Sequence, residues 1–147
     1  MTKVTGWATA VLTMCAAAVF AAAPTPQRPA LSERLNPRIG PARPQQYRSI
    51  RVAEDWKNPY LVVGRDSIEI ITRGIPGGRR SVAPTDLRRT LIDLPVTAWP
   101  YGRVVAVQQQ AIRAGDGRDD KPIEDKFYAT LAMLKTLQVT IETWPSA

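Results

Sequence analysis

The sequence predicts an α+β fold, a two-layer sandwich. One four-stranded mixed sheet, built in the order β-β-α-β-α-β, is covered by two helices. Three observations carry this. Short apolar runs alternate with polar residues around Tyr60–Thr72. Two stretches, Pro84–Leu94 and Pro122–Leu137, repeat apolar residues at helical spacing. Each of these is followed by a further apolar run, "VVAV" and then "VTIETW".

The elements follow in order. "YLVV", Tyr60–Val63, is a strand. "GRD", Gly64–Asp66, is a turn in which glycine relaxes the backbone restriction. "SIEIIT", Ser67–Thr72, alternates Ile68 and Ile70 with Ser67 and Glu69, so one face is buried and the pair forms a β-hairpin. "RGIPGGRRSV" reads as a loop with three glycines and a proline. In "PTDLRRTLIDL", Pro84 suits a first helical turn, Asp86 suits the positive end, and Leu87, Leu91 and Leu94 share a stripe. Pro95 ends that helix.

The third strand runs from Arg103 to about Gln108. Its "VVAV" is apolar at every position, which implies an interior strand covered on both faces. "AGDGRDD", Ala114–Asp120, is an acidic loop whose last aspartates can cap the next helix. That helix carries Ile123, Phe127, Leu131 and Leu134 on one face. "VTIETW", Val139–Trp144, closes the sheet, with the last two strands parallel neighbours joined by a right-handed crossover.

Upstream of this domain the composition changes. Val4–Ala23 is apolar or small throughout and follows Lys3, the pattern of a secretory signal cleaved after Ala21. An uncleaved anchor is the alternative, since twenty residues just span a hydrocarbon core of roughly 30 Å. Residues 22–58 hold prolines at 24, 26, 29, 37, 41 and 44, with seven cations against three anions. They are expected to form a basic, mostly disordered arm that favours extended segments. The folded domain is then 59–147.

Composition narrows the chemistry. The 147 residues carry 20 Lys+Arg against 13 Asp+Glu, and there is no histidine. The single cysteine, Cys15, falls within the apolar leader. A chain cleaved after Ala21 therefore has no thiol and no imidazole, so it has no disulfide framework, no Ser-His-Asp triad and no His-based zinc site. No cofactor is implied. The basic arm suits an acidic surface such as anionic lipid or cell-wall polymer. Nucleic acid is not an expected partner of an exported chain.

The order of elements resembles the periplasmic domain of the ExbD/TolR family. The residues that carry the resemblance are "YLVVGRDSIEII", "APTDLRRTLIDL", "RVVAVQ" and "FYATLAMLKTLQVTIETW". It implies a small α+β domain and, in that family, an accessory subunit of a proton-driven inner-membrane motor. The family's membrane helix carries an aspartate and stays uncleaved, whereas Val4–Ala23 contains no carboxylate. The resemblance therefore extends to fold, and maps no catalytic residue onto this chain.

Five candidate sites emerge. Gln108, Gln109, Gln110 and Arg113 stand where the third strand ends, beyond the carboxyl ends of parallel strands, where α/β sheets place ligands. The plainer view is that the strand leaves the core there. Asp116, Asp119, Asp120, Glu124 and Asp125 offer oxygen ligands, but their spacing is not that of an EF-hand, and helix capping explains them. Glu69 and Glu142 are the nearest to a hydrolytic carboxylate pair. "GIPGGRR", Gly74–Arg80, has an anion-cradle texture without a P-loop signature, and a loop explains it equally well. Trp56, Trp99 and Tyr101, with Tyr60 and Trp144, pair aromatics with prolines; they suit a partner surface or the plugged ends of a small core.

The expectation is an exported, periplasmic or secreted, non-enzymatic module that binds a protein or cell-envelope partner. The alternative is a membrane-anchored accessory subunit of ExbD/TolR type, and a small carboxylate-dependent hydrolase stands third. Membrane contact is expected only if residues 4–23 remain attached. An edge strand could pair with a copy of itself, giving a homodimer.

Overall fold

The computed structural model describes residues 34–111 and 120–145. The signal or anchor segment, Arg113, Asp116 and Asp119 lie outside them. Among the described residues no helix is long and apolar enough to cross a membrane. The fold is mixed α+β: one mixed sheet of five strands and two helices, β1 Tyr60–Val63, β2 Ile68–Ile71, β3 Arg79–Val82, α1 Leu87–Ile92, β4 Val104–Gln109, α2 Lys121–Thr136 and β5 Thr140–Trp144. The strand order is β3-β2-β1-β4-β5. β1, β4 and β5 run parallel, while β2 and β3 pair antiparallel at one edge.

The fifth strand corrects the expected four. Gly74 and Gly77, at φ 78° and 65°, turn the chain after β2. The Thr72 N–H then donates to the Gly78 carbonyl at 2.5 Å, and Arg79–Val82 pairs with β2. This edge strand is exposed along Arg79, Arg80 and Ser81 and carries no apolar alternation, so its residues read as loop. α1 is also shorter than expected, because Ala83–Asp86 form a turn before it.

Both faces of the sheet are covered, as the unbroken apolar run of β4 implied. Val104, Val105, Ala106 and Val107 are all fully buried. On one face Leu61, Val63, Ile68, Ile70, Val105 and Val107 pack against Leu87 and Leu91 of α1 and Leu134 of α2, with Phe127 and Leu131 partly buried beside them. Burying a Leu, Ile or Val side chain contributes about 1.5–3 kcal/mol, so this aliphatic layer is a main source of stability.

The opposite face is covered by the described part of the stretch expected to be disordered, residues 22–33 of which lie outside the described residues. Residues 34–58 lie on the domain. Leu35 and Ile39 reach into the aliphatic core, while Tyr47 and Trp56 pack with Tyr60, Tyr101, Val104 and Ala106. Five rings meet here, Tyr60 joining through Trp144 at 5.8 Å. Trp56 lies edge-on to Tyr47 and Tyr101 at 5.5 Å and to Trp144 at 5.9 Å. Each such pair is worth about 0.5–1.5 kcal/mol beyond its area.

Short 3₁₀ turns at Pro44–Gln46 and Ala53–Asp55 satisfy part of the cover's backbone, and hydrogen bonds to the sheet side pin further groups. The Arg43 N–H donates to the Tyr101 carbonyl at 2.9 Å, and the Arg103 N–H donates to the Gly40 carbonyl at 2.9 Å. Gly102, at φ 80°, sits under Pro41, and a Cβ there would collide with the Pro41 carbonyl. Asn58, fully buried, completes the lacing. Its amide donates to the carbonyls of Gly102 at 2.7 Å and Val104 at 2.8 Å, and its oxygen accepts from the Tyr101 N–H at 2.8 Å.

Candidate functional site

Among the described residues, clefts stand at each end of the parallel strands and along β5. At the carboxyl end, where the glutamines were expected to present amides, the three part company. Gln108 points into the aromatic face and is buried. Its oxygen accepts from the Tyr60 hydroxyl, and its amide donates to the Pro145 carbonyl at 2.8 Å. Its polar groups are thus used within the fold. Gln109 is half-buried, and Gln110 is exposed, with its side chain over Gly64.

Gln110 lines a cleft of about 310 Å³ with Gly64, Arg65, Asp66, Ser67 and Ser81. The polar groups around it are largely engaged with each other. Glu69 pairs with Arg79, and the Ser81 hydroxyl donates to the Ser67 hydroxyl at 2.8 Å.

The aromatic candidates are interior. Trp56, Trp99 and Tyr101 are 1%, 3% and 8% exposed, so none offers a ring face to a partner. The Trp-Pro-Tyr turn sends its rings to opposite sides of the sheet, Trp99 into the aliphatic core and Tyr101 into the aromatic one. The Trp56 indole donates to the Pro59 carbonyl at 3.3 Å. The buried Trp99 indole N–H has no partner among the described residues, and nothing in the structure accounts for it.

The carboxylate candidates do not converge. Glu69 and Glu142 share a sheet face but sit on β2 and β5. Two strands intervene, so three strand spacings put them about 14 Å apart, beyond the roughly 5–10 Å of a glycosidase pair. Lys121 pairs with Asp125 at 2.8 Å. Asp120 occupies the position before α2 without a side-chain cap, which corrects the expected capping role. Among the described residues no three potential ligands gather around a metal position. The "GIPGGRR" stretch forms the β2–β3 turn and the start of β3, and Arg79 is held by Glu69.

Two arrangements were not visible in the sequence. The first is a groove of about 390 Å³ beside β5, where Tyr47, Arg48, Arg51 and Trp56 face Glu142 and Trp144. Burial raises the Tyr47 phenol above its ordinary value, and the adjacent Glu142 carboxylate raises it further by charge and hydrogen bonding. The second is an arginine-lined cleft at the amino-terminal end of the parallel strands. Both are assembled by segments distant in the chain, so no local spacing announces them.

Comparison with protein-family models, curated proteins and solved structures returned no match.

Proposed function

We propose that this chain is an exported, non-enzymatic binding module of the cell envelope that holds an extended segment of a partner protein along β5. The observation that carries the reading is the open edge of β5 beside a cationic groove with half-buried Trp144 in its wall. β5 is the last strand in the sheet, with β4 on one side only. The Thr140 N–H donates inward to the Arg103 carbonyl at 2.9 Å. By alternation along a strand, the N–H groups of Ile141 and Thr143 face outward.

A peptide added there would gain main-chain hydrogen bonds, and the groove would supply selectivity. Arg48 and Arg51 flank it against the single carboxylate of Glu142, which favours an acidic segment. The other edge, β3, carries Arg79 and Arg80, charges that discourage strand pairing. The apolar run Val4–Ala23 after Lys3 supports export.

A photo-reactive residue placed at Thr143 in producing cells tests the partner. The expected result is one defined envelope-protein adduct, lost on adding Arg48→Glu and Arg51→Glu to the cross-linking chain. Adducts only to cytosolic proteins, or an adduct indifferent to the charge reversal, would refute the reading. N-terminal sequencing of the exported chain separates the two forms: a start at Ala22 identifies the cleaved module, and a retained leader identifies the anchored, ExbD/TolR-like subunit.

A further inference from the structure

We propose that the cleft at the amino-terminal end of the parallel strands binds a phosphate-bearing anion. It is distinct from the β5 groove and does not rest on the peptide-binding reading. The cleft measures about 520 Å³ and is lined by Arg34, Arg88 and Arg103, with Thr136, Leu137 and Gln138 beside them. Among the described residues that line it, none is acidic. The three guanidinium groups come from the cover segment, α1 and the entry to β4. Gathering like charges around one space is unfavourable unless something of opposite sign belongs there.

A plainer cause is the carboxyl end of α2, which also borders the cleft. A helix end carries about half a negative charge, confined to its last turn. That accounts for one cation. Arg88 fits the role, since it donates to the Thr136 hydroxyl at 3.1 Å. The other two arginines need a further reason.

Arg103 supplies it. Its Nε is buried and has no hydrogen-bond partner among the described residues, an unfavourable state for a charged donor. Its backbone is fixed on both sides, the N–H to Gly40 and the carbonyl to Thr140, each at 2.9 Å. The guanidinium therefore stands on a preorganised support. Half-buried Arg103 lines the cleft, and the planar fork of its guanidinium matches phosphate geometry.

Gln138 adds to this. It adopts φ 56°, a backbone state that glycine or asparagine usually fills after a helix. Glutamine there places an amide at the rim. The two cations left over balance two negative charges, so pyrophosphate or a phosphate ester suits the cleft better than a monovalent anion.

Soluble phosphate esters and phospholipid headgroups share this chemistry, so the test has two arms. The full chain is titrated at low ionic strength with pyrophosphate by calorimetry and with phosphatidylglycerol vesicles by co-sedimentation. Saturable binding is expected, weakened about tenfold or more by Arg103→Gln and by Arg88→Gln. The double substitution Arg48→Gln, Arg51→Gln removes more charge elsewhere and leaves that binding unchanged. Circular dichroism checks folding, and Arg88→Gln keeps the test decisive if Arg103→Gln unfolds. Arginine-dependent binding of pyrophosphate assigns a soluble ligand, and the same dependence with vesicles alone assigns a headgroup. Absence of binding in both arms at millimolar phosphate, or equal weakening by the cleft and groove substitutions, overturns the proposal.

Discussion

The two faces of this sheet solve one problem in different ways. The helix-covered face is aliphatic: Leu61, Val63, Val105 and Val107 meet Leu87, Leu91 and Leu134. The helices satisfy most of their own backbone groups and bring only side chains to the contact. The other face is aromatic and covered by chain with only short 3₁₀ turns, and it carries the specific hydrogen bonds of Asn58, Arg43 and Arg103. A helix can be laid down as a unit, whereas an irregular cover must be tied at each strong polar group.

The largest expected effect tests whether the irregular cover is a true core. Trp56→Ala should cost about 3–5 kcal/mol and Leu134→Ala about 2–5 kcal/mol in urea unfolding. A loss below about 1 kcal/mol for Trp56→Ala, outside the range for core truncation, would demote the aromatic face to a surface layer. Next in size is Asn58→Ala, which strips the Tyr101 N–H of its acceptor and the Gly102 and Val104 carbonyls of one donor each. It should cost about 2–4 kcal/mol, with helix content by circular dichroism unchanged in whatever fraction remains folded.

Gly102→Ala should cost less, about 1–3 kcal/mol, the scale of local backbone strain. Its signature is local: faster trypsin cleavage at Arg38 and Arg48, because Pro41 must lift away from the turn. Uniform cleavage across the domain would instead mean that the cover and the sheet open together.

The smallest effect is alkaline. Tyr47, Tyr60 and Tyr101 all lie on the aromatic face, and burial is the first cause raising each phenol above its ordinary value of 10.0. The unfolded phenols ionise first. The associated stability is therefore intact below about pH 10, and it is lost as the pH rises through the higher folded values. Urea midpoints between neutral pH and pH 11 should fall, and Tyr60→Phe should shrink that fall. Equal slopes in both proteins would remove Tyr60 from the account.

Periodicity explains which parts were legible. The β1–β2 hairpin, both helices, β4 and β5 each bury one stripe or one run, and their bounds fall within a few residues of the expected ones. β3 lacked a signal because an exposed edge strand of Arg79, Arg80 and Ser81 needs no apolar face. The cover was missed for a related reason. Leu35, Ile39, Tyr47 and Trp56 are buried one at a time by an irregular path, so their spacing has no period. The proline density that suggested disorder is compatible with a fixed extended path once carbonyls such as those of Gly40, Pro59 and Pro100 find donors. Gln108 was recognised as the place where the strand changes character. Its inward orientation depends on the Tyr60 hydroxyl of the neighbouring strand, which only the register reveals. The arginine cleft depends on three segments meeting and has no local trace.

The meeting of Trp56 with Trp144 has a consequence for the order in which the molecule is made. The cover precedes the sheet in the chain, yet its ring partners arrive with the Trp-Pro-Tyr turn and with the final strand. During synthesis the early segment has nothing to fold upon. It must remain open until Trp144 has emerged, and the long loop closed at that step slows folding. The aromatic face thus matures as a whole, with Trp56 waiting for β5.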